Sequence, residues 1–161
     1  MFNLKSEIYL KIIFLFSSIS LISAYFIEYV LGHQPCNLCL IERIPYGLSI
    51  ILISIILILK KNEKFFIVLL ILTFVFSFTI SLYHLGIEQS IFEESNVCTP
   101  KNFSENITKE DLLNQLSKRI INCKDVTFRV FGLSLTTINI VISLLFIITL
   151  KKVYTNYEKK K

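Results

Sequence analysis

The sequence predicts an all-α membrane protein: an antiparallel bundle of four transmembrane helices with a long outer loop that carries a short amphipathic helix. Two observations predict this class. Of the 161 residues, 53% are hydrophobic, and the apolar residues are concentrated in four long runs, close to the roughly 20 residues that a helix needs to cross the bilayer. The connections favour antiparallel neighbours. The length fits one membrane domain over 1–161.

The four runs set the predicted spans. The spans lie at about 8–31, 44–59, 65–85 and 131–150. The first run exceeds the roughly 7–15 apolar residues of a signal peptide and has no A-x-A site after it, so we expect it to stay uncleaved. The second run is short, so its helix is expected to take a turn from its N-terminal side. Glu42 and Arg43 would then lie at the membrane surface.

The distribution of basic residues predicts the orientation. The N-terminal end, the 60–64 turn and the tail after residue 150 share one side, and they hold ten of the 17 basic residues but only three acids. We therefore expect both termini in the cytoplasm and the loops 32–43 and 86–130 outside it. The net charge of +5 is a topology signal, and nucleic-acid binding is not expected, because these basic residues flank apolar spans.

The long outer loop contains one stretch with helical character. "TKEDLLNQLSKRII", residues 108–121, has a capping pair in Thr108 and Asp111, and its apolar residues recur at helical spacing. This pattern predicts a short amphipathic helix. It would either lie on the bilayer surface or pack against the helix ends.

All four cysteines are predicted to lie on the outer side. Cys36 and Cys39 belong to "PCNLCLIER", residues 35–43, and Cys98 and Cys123 belong to the long loop. Disulfides persist outside the cytoplasm. A CxxC followed by Glu-Arg at a membrane edge is the chemical feature that needs explaining.

Metal binding fits these cysteines poorly. A zinc ribbon needs a second close pair, whereas 24 residues separate Cys98 from Cys123. Haem attachment needs CxxCH, and Leu40 follows Cys39. The sequence therefore predicts no metal site.

Thiol–disulfide exchange explains the CxxC better than a structural role does. A disulfide across two intervening residues closes a very small loop and removes little chain entropy. One thiolate of such a pair can attack while its neighbour resolves the mixed disulfide. For Cys98 and Cys123 alone, a structural staple is the simpler interpretation.

Arg43 follows Cys39 by four residues, which places both on one face if the helix begins by Cys39. A nearby cation raises the thiolate fraction of a cysteine. The bilayer itself supplies a lipid-soluble electron acceptor, quinone, whose carbonyls Arg43 could bind. The alternatives for Arg43 are headgroup contact or pairing with Glu42 or Glu28.

Several stretches resemble the bacterial disulfide bond formation protein B family, DsbB. They are "PCNLCLIER" in the first outer loop, "YHLGIE" at 83–88, the separated pair Cys98 and Cys123, and "FGLSLTTIN" at 131–139. The resemblance covers most of the chain in order.

The resemblance implies a mechanism and a location. A bacterial inner-membrane enzyme would reoxidise a periplasmic thioredoxin-like protein of the DsbA type and pass the electrons to ubiquinone or menaquinone. Cys98 would form the mixed disulfide and Cys123 would be its pair. Electrons would reach Cys36 and Cys39, with Cys39 closest to the quinone.

The same resemblance suggests a quinone site of Arg43, Cys39 and His84. His84 would line the site or help to move protons, although a lone histidine at a membrane interface often only bonds locally. Asn139, inside the fourth span, is expected to join helices rather than bind a ligand.

Other functions remain open at this stage. One is a non-enzymatic four-span scaffold whose outer loop is stapled by a disulfide. Another is a vitamin K epoxide reductase-type enzyme, although that family keeps its CxxC in a later helix. A DsbB relative with a dedicated partner, or one that works in the reducing direction, is a third.

Overall fold

The protein is a bundle of four long helices, seen in a computed structural model. The structure describes residues 4–59, 62–93, 98, 123–124, 129–130 and 132–158. The elements are α1 (Leu4–Tyr29), α2 (Asn37–Leu59), α3 (Glu63–Glu88), β1 (Arg129–Val130), β2 (Leu133–Ser134) and α4 (Leu135–Glu158). All four helices are long and apolar enough to cross a membrane. The predicted fold class is confirmed.

Sequence neighbours pack side by side and run antiparallel. Helix α1 packs on α2, α2 on α3, and α3 on α4. Arg43 near the start of α2 pairs with Glu28 near the end of α1. His84 near the end of α3 contacts Glu42 near the start of α2. The start of α2, the end of α3 and the start of α4 therefore meet at one end of the bundle, which we call the cysteine end.

Buried serines join the helices halfway along the bundle. The Ser49 hydroxyl of α2 donates to Ser17 of α1 over 3.0 Å, and the Ser143 hydroxyl of α4 donates to Ser77 of α3 over 3.1 Å. All four side chains are fully buried. Small residues let helix backbones approach closely in a bilayer, where apolar attraction between helices is weak.

From the middle of the bundle to its other end, large apolar side chains fill the interior. We call this group the apolar cluster: Leu10, Ile13, Tyr46, Leu52, Ile53, Ile56, Ile67, Leu70, Phe74, Phe146, Leu150 and Val153. The outer helix faces expose further large apolar side chains, among them Ile22, Ile58 and Phe65. Such faces suit contact with lipid tails.

The helices extend beyond the predicted spans. Helix α2 begins at Asn37 and continues through Pro45, whose missing N–H leaves the Ile41 carbonyl without its usual helical partner. Cys39 therefore lies inside α2 and not in the loop 32–43. Hydropathy detects the apolar part of a helix, whereas backbone hydrogen bonding continues through polar residues such as Glu42 and Arg43.

The fourth span also differs from its predicted limits. The strands Arg129–Val130 and Leu133–Ser134 pair antiparallel, with Arg129 opposite Ser134. Gly132 adopts φ 82° between them, a conformation that glycine accepts without strain. Helix α4 then begins at Leu135, after the predicted 131, and runs past 150 to Glu158. The predicted amphipathic helix at 108–121 lies outside the described residues.

Candidate active site

Cys36 occupies the N-cap position of α2. The Cys39 backbone N–H donates to the Cys36 Sγ over 3.3 Å, and the Leu40 N–H donates to the Cys36 carbonyl over 3.2 Å. A side-chain oxygen of Ser or Asp usually fills this role. Sulfur does so here, at the positive end of the helix dipole, which favours the thiolate form.

The CxxC cysteines form a close pair. Their Sγ atoms lie 2.7 Å apart, with Cys36 buried and Cys39 half-buried. The hydrogen bond with Cys39 lowers the pKa of Cys36 most, burial opposes this, and His84 lowers it further, so that the pKa falls from 9.0 to about 5. Cys36 is then a thiolate at neutral pH, which is the nucleophilic form.

His84 connects Cys36 to a buried carboxylate. Its Nε2 lies 3.6 Å from the Cys36 Sγ, and its Nδ1 lies 2.9 Å from the Glu42 Oε1. The His84 side chain is only 2% exposed. Buried polar groups persist only with partners, and here a thiol, an imidazole and a carboxylate are partnered across α2 and α3.

Helix α4 supports this arrangement from the other side. The Thr136 hydroxyl lies 3.3 Å from the His84 Nδ1 and donates to the Glu88 Oε1 over 2.6 Å. The Asn139 amide donates to the Glu42 Oε2 over 3.2 Å and to the Ser81 hydroxyl over 2.7 Å. Asn139 thus joins three helices, as the sequence predicts, and both Glu42 oxygens have partners.

Arg43 is held toward α1. It forms an ion pair with Glu28, and its guanidinium lies 5.1 Å from the centre of the Tyr25 ring. The Arg43 and Glu28 side chains are 15% and 20% exposed. Of the alternatives left open by the sequence, pairing with Glu28 is the one observed.

The second cysteine pair packs against the first. Cys98 and Cys123 form a disulfide, with Cα atoms 5.5 Å apart. Both are buried in one group with Cys36, Leu38 and Ile87, which we call the thiol cluster. Both cysteine pairs therefore lie together at the cysteine end.

A cavity of about 210 Å³ borders this site. Cys39, Arg43 and His84 contribute to its polar wall, and Leu21 of α1 and Ile142 of α4 to its apolar wall. Cavities of this kind, apolar with a few convergent polar groups, are the usual form of small-molecule sites.

The thiol–imidazole group is better suited to redox chemistry than to metal binding. The Cys36, Cys39 and His84 donor atoms lie within 4.8 Å of one another. Two thiolates that bind one tetrahedral zinc, each at about 2.3 Å, lie roughly 3.8 Å apart, whereas the Cys36 and Cys39 Sγ atoms are only 2.7 Å apart, which suits disulfide formation. The absence of a metal site remains a prediction.

The structure brings most of the predicted site residues together. Cys36, Cys39, Arg43, His84 and Cys123 all border the cavity, and Cys98 is joined to Cys123 by the disulfide.

Sequence reasoning missed Glu42 and Thr136. It placed Glu42 at the membrane surface, whereas the side chain is 9% exposed and bound to His84. Its spacing of three residues from Cys39, one helical turn, was the available signal. Thr136 is a common residue type in apolar helices and gave no signal.

These features define a class of protein: a multi-pass membrane protein whose helix end holds a reactive thiol pair next to a disulfide. Residues 6–151 match the family model of disulfide bond formation protein DsbB. The chain therefore belongs to the DsbB family, which makes it a membrane disulfide oxidoreductase.

A relative in Rickettsia prowazekii (strain Madrid E), the uncharacterized protein RP370, is 30% identical over 139 residues. The matched region covers 83% of this chain and 79% of the relative. The likeness thus extends over most of both proteins.

Proposed function

We propose that the protein reoxidises a periplasmic thioredoxin-like protein of the DsbA type and passes the electrons through its two cysteine pairs to a membrane quinone. The observation that supports this most is the thiol cluster, in which the Cys98–Cys123 disulfide packs against Cys36. Exchange between two pairs requires that a thiolate reach a disulfide sulfur, and these pairs are neighbours.

The first half of the relay oxidises the partner. A thiolate of the reduced partner attacks the Cys98 sulfur, forming a mixed disulfide and releasing the Cys123 thiolate. The Cys123 thiolate attacks the Cys36 sulfur of an oxidised CxxC and releases the Cys39 thiolate. The second thiolate of the partner then breaks the mixed disulfide, leaving the partner oxidised and Cys98 as a thiolate.

The second half resets the long-loop pair. The Cys98 thiolate attacks Cys123 in the Cys36–Cys123 disulfide, which restores Cys98–Cys123 and releases the Cys36 thiolate. The two electrons of the partner now reside on reduced Cys36 and Cys39. Cys36 is a good leaving group because its pKa is low.

The cavity suits the ring of a quinone. Its volume of about 210 Å³ exceeds the roughly 150 Å³ of cavities that bind benzene. Arg43 can donate to a carbonyl oxygen, the Cys39 sulfur borders the same space, and His84 completes the predicted set. When bound, a quinone such as ubiquinone or menaquinone supplies an acceptor for two electrons and two protons.

The proposed location is the bacterial inner membrane, with the cysteine end toward the periplasm. The excess of lysines at the N-terminus, the 60–64 turn and the C-terminal tail supports cytoplasmic termini. Disulfides such as Cys98–Cys123 also persist in oxidising compartments outside the cytoplasm. The exposed apolar helix faces would contact lipid.

The test is quinone reduction by the purified protein in detergent. Reduced thioredoxin-like protein is supplied, and quinone absorbance is followed for the unsubstituted protein, Cys39→Ser and Cys98→Ser. We expect turnover in the first and none in either variant. Absence of turnover with ubiquinone and menaquinone and several dithiol partners would refute the proposal.

A small dithiol serves as a matched second substrate. It can reduce the Cys36–Cys39 disulfide directly, so Cys98→Ser should regain turnover with it while Cys39→Ser should not. Equal loss in both variants with the small dithiol would contradict the assigned order of the two pairs.

A further inference from the structure

We propose that His84 accepts the thiol proton of Cys36 at Nε2, and that Glu42 is the positioning residue that fixes the imidazole tautomer. This inference deepens the proposed function and rests on Cys36 and Cys39 as its redox pair.

The partners of Nδ1 determine where the proton of the neutral ring lies. The ionised Glu42 carboxylate, 2.9 Å away, can only accept a hydrogen bond. The Thr136 hydroxyl, 3.3 Å away, already donates its hydrogen to Glu88, so its oxygen is left to accept. Two acceptors at Nδ1 place the ring hydrogen there. The lone pair of His84 is consequently on Nε2.

Nε2 faces the thiol that must lose its proton. The Cys36 Sγ lies 3.6 Å away, within hydrogen-bond reach of sulfur. Once protonated, the imidazolium has the Glu42 carboxylate at Nδ1 and the Glu88 Oε1 4.0 Å from Nε2. Opposite charges at this range favour the ionised pair of thiolate and imidazolium in a buried site.

Glu42 acts through His84 and not on the sulfur. Its Oε1 holds Nδ1 while its Oε2 accepts from the Asn139 amide. A carboxylate fixed at both oxygens orients the ring that it contacts and selects its tautomer. Glu42 therefore sets the direction of proton transfer.

The transfer balances with the proposed redox step. The Cys36 S–H bond breaks, its electron pair stays on sulfur, and the proton moves to Nε2. Formation of the Cys36–Cys39 disulfide then releases two electrons to the quinone acceptor. The relay itself releases Cys36 and Cys39 as thiolates, so His84 acts when Cys36 has taken up a proton from solution as S–H. The two protons that hydroquinone formation takes up equal the two that the partner's thiols lost.

Other charged or titratable groups surround the pair and enter the interpretation of any titration. They are Cys39 and Tyr46 on α2, Glu88 on α3, and Arg43 and His33 at the cavity, with Glu28 paired to Arg43. The α4 residues that contact the site, Thr136 and Asn139, do not titrate.

The first experiment titrates Cys36 alone. In Cys39→Ser, with Cys98 and Cys123 bonded, Cys36 is the one free thiol, and its thiolate ultraviolet absorbance is followed against pH. Adding His84→Gln should raise the pKa of Cys36 by about one to three units, since a cationic partner is lost. Glu42→Gln should shift it the same way by less, and Glu42→Asp should restore it.

Glu63→Gln is the matched control, because Glu63 is a buried carboxylate of α3 at the opposite end of the bundle. It should leave the Cys36 titration unchanged. A Cys36 titration that His84→Gln does not move would overturn the proposal.

The second experiment needs no substitution. In the oxidised protein, nitrogen NMR of labelled histidine should show His84 with hydrogen on Nδ1 and none on Nε2. An Nε2–H tautomer or an imidazolium would overturn the proposal. Neither experiment uses quinone or partner, so a failure of quinone turnover is separable from a failure of this inference.

Discussion

The two ends of the bundle bury opposite kinds of side chain. In the apolar cluster, Leu10, Phe74 and Leu150 are completely buried among other apolar residues. At the cysteine end, His84 and Glu42 are buried almost as deeply. The same four helices thus build a packed half and a polar half.

This difference indicates that one end of the bundle contributes mainly to stability and the other mainly to the redox reaction. In a bilayer, buried ionisable groups are costly and persist where a function uses them. Helix association depends on close packing and interhelical hydrogen bonds. We therefore expect substitutions in the apolar cluster to change mainly unfolding, and substitutions at the cysteine end to change mainly turnover.

The largest effect is expected from Cys36→Ser and Cys39→Ser. Each removes a sulfur from the CxxC pair, so no disulfide forms and quinone reduction should fall to the background rate. Helix packing should persist, because serine is similar in size and can take over the N-cap role of Cys36. The measurements are quinone absorbance and the thermal unfolding midpoint in detergent.

If Cys36→Ser or Cys39→Ser lost as much thermal stability as a variant of the apolar cluster, the contrast between the two ends of the bundle would not hold. It would mean that the cysteine pair also supports the packing of the bundle.

Phe74→Ala tests the opposite end. The Phe74 ring is completely buried and packs edge-on against Phe146 at 4.9 Å between centroids. Its removal should cost about 3–5 kcal/mol of unfolding free energy, because the cavity left behind loses dispersion contacts. Turnover per folded molecule should be unchanged. Leu72→Ala, exposed on the same helix, is the control and should cost little.

The sequence predicts the packed half more completely than the polar half. Four apolar runs were sufficient for the four helices, because hydropathy reports the lipid-facing and core residues directly. It predicted that α2 takes a turn from its N-terminal side, but not that the helix begins as early as Asn37, because Glu42 and Arg43 look like surface residues when read alone.

The site could be predicted where the residue types alone indicate the chemistry, as they do for the CxxC cysteines and Arg43. The link from His84 to Glu42 joins residues 42 positions apart. Only packing of α2 on α3 reveals it. The sequence left two roles open for His84, and its ring nitrogens are observed facing Cys36 and Glu42.

Asn139→Leu should lower both the stability of the bundle and the rate of turnover. It removes the amide that donates to Glu42 and Ser81, leaving a carboxylate oxygen without its partner. An unsatisfied buried acceptor costs about 1–3 kcal/mol, so the free energy of unfolding should fall by about that amount. Turnover should also fall, because Glu42 is then less firmly held. Chemical unfolding measures the change in stability, and the quinone assay measures the change in turnover. Asn139→Asp is not a suitable control, because it adds a charge.

Thr137→Val on the same helix is the better control, since among the described residues the Thr137 hydroxyl bonds locally with Ser134. If Asn139→Leu behaves like Thr137→Val, the polar half is less dependent on this residue than the structure indicates.

Arg43→Lys should produce a smaller and more specific change. Lysine keeps the charge but loses the planar group that pairs with Glu28 and lies over Tyr25. We expect the KM for quinone to rise about tenfold, equivalent to roughly 1.4 kcal/mol, with less change in the KM for the dithiol partner. Equal changes in both KM values would indicate a general structural defect instead of a quinone contact.

The smallest expected effect is a pH dependence that is nearly flat. The reduced CxxC attacks an added small disulfide through the Cys36 thiolate. With a pKa near 5 in place of 9.0, Cys36 is already ionised at neutral pH. The rate should therefore stay level while an ordinary thiol would gain about tenfold per pH unit below its pKa, and it should fall only as protons return to the sulfur below about pH 5. Stopped-flow exchange with the reduced Cys98→Ser/Cys123→Ser protein isolates this step, because that protein keeps both CxxC thiols and the hydrogen bond from Cys39 to Cys36. A rate that climbs steadily from pH 6 to pH 8, at about tenfold per unit, would show that the cysteine end leaves Cys36 a protonated thiol, and the contrast between the two halves of the bundle would then lose its chemical basis.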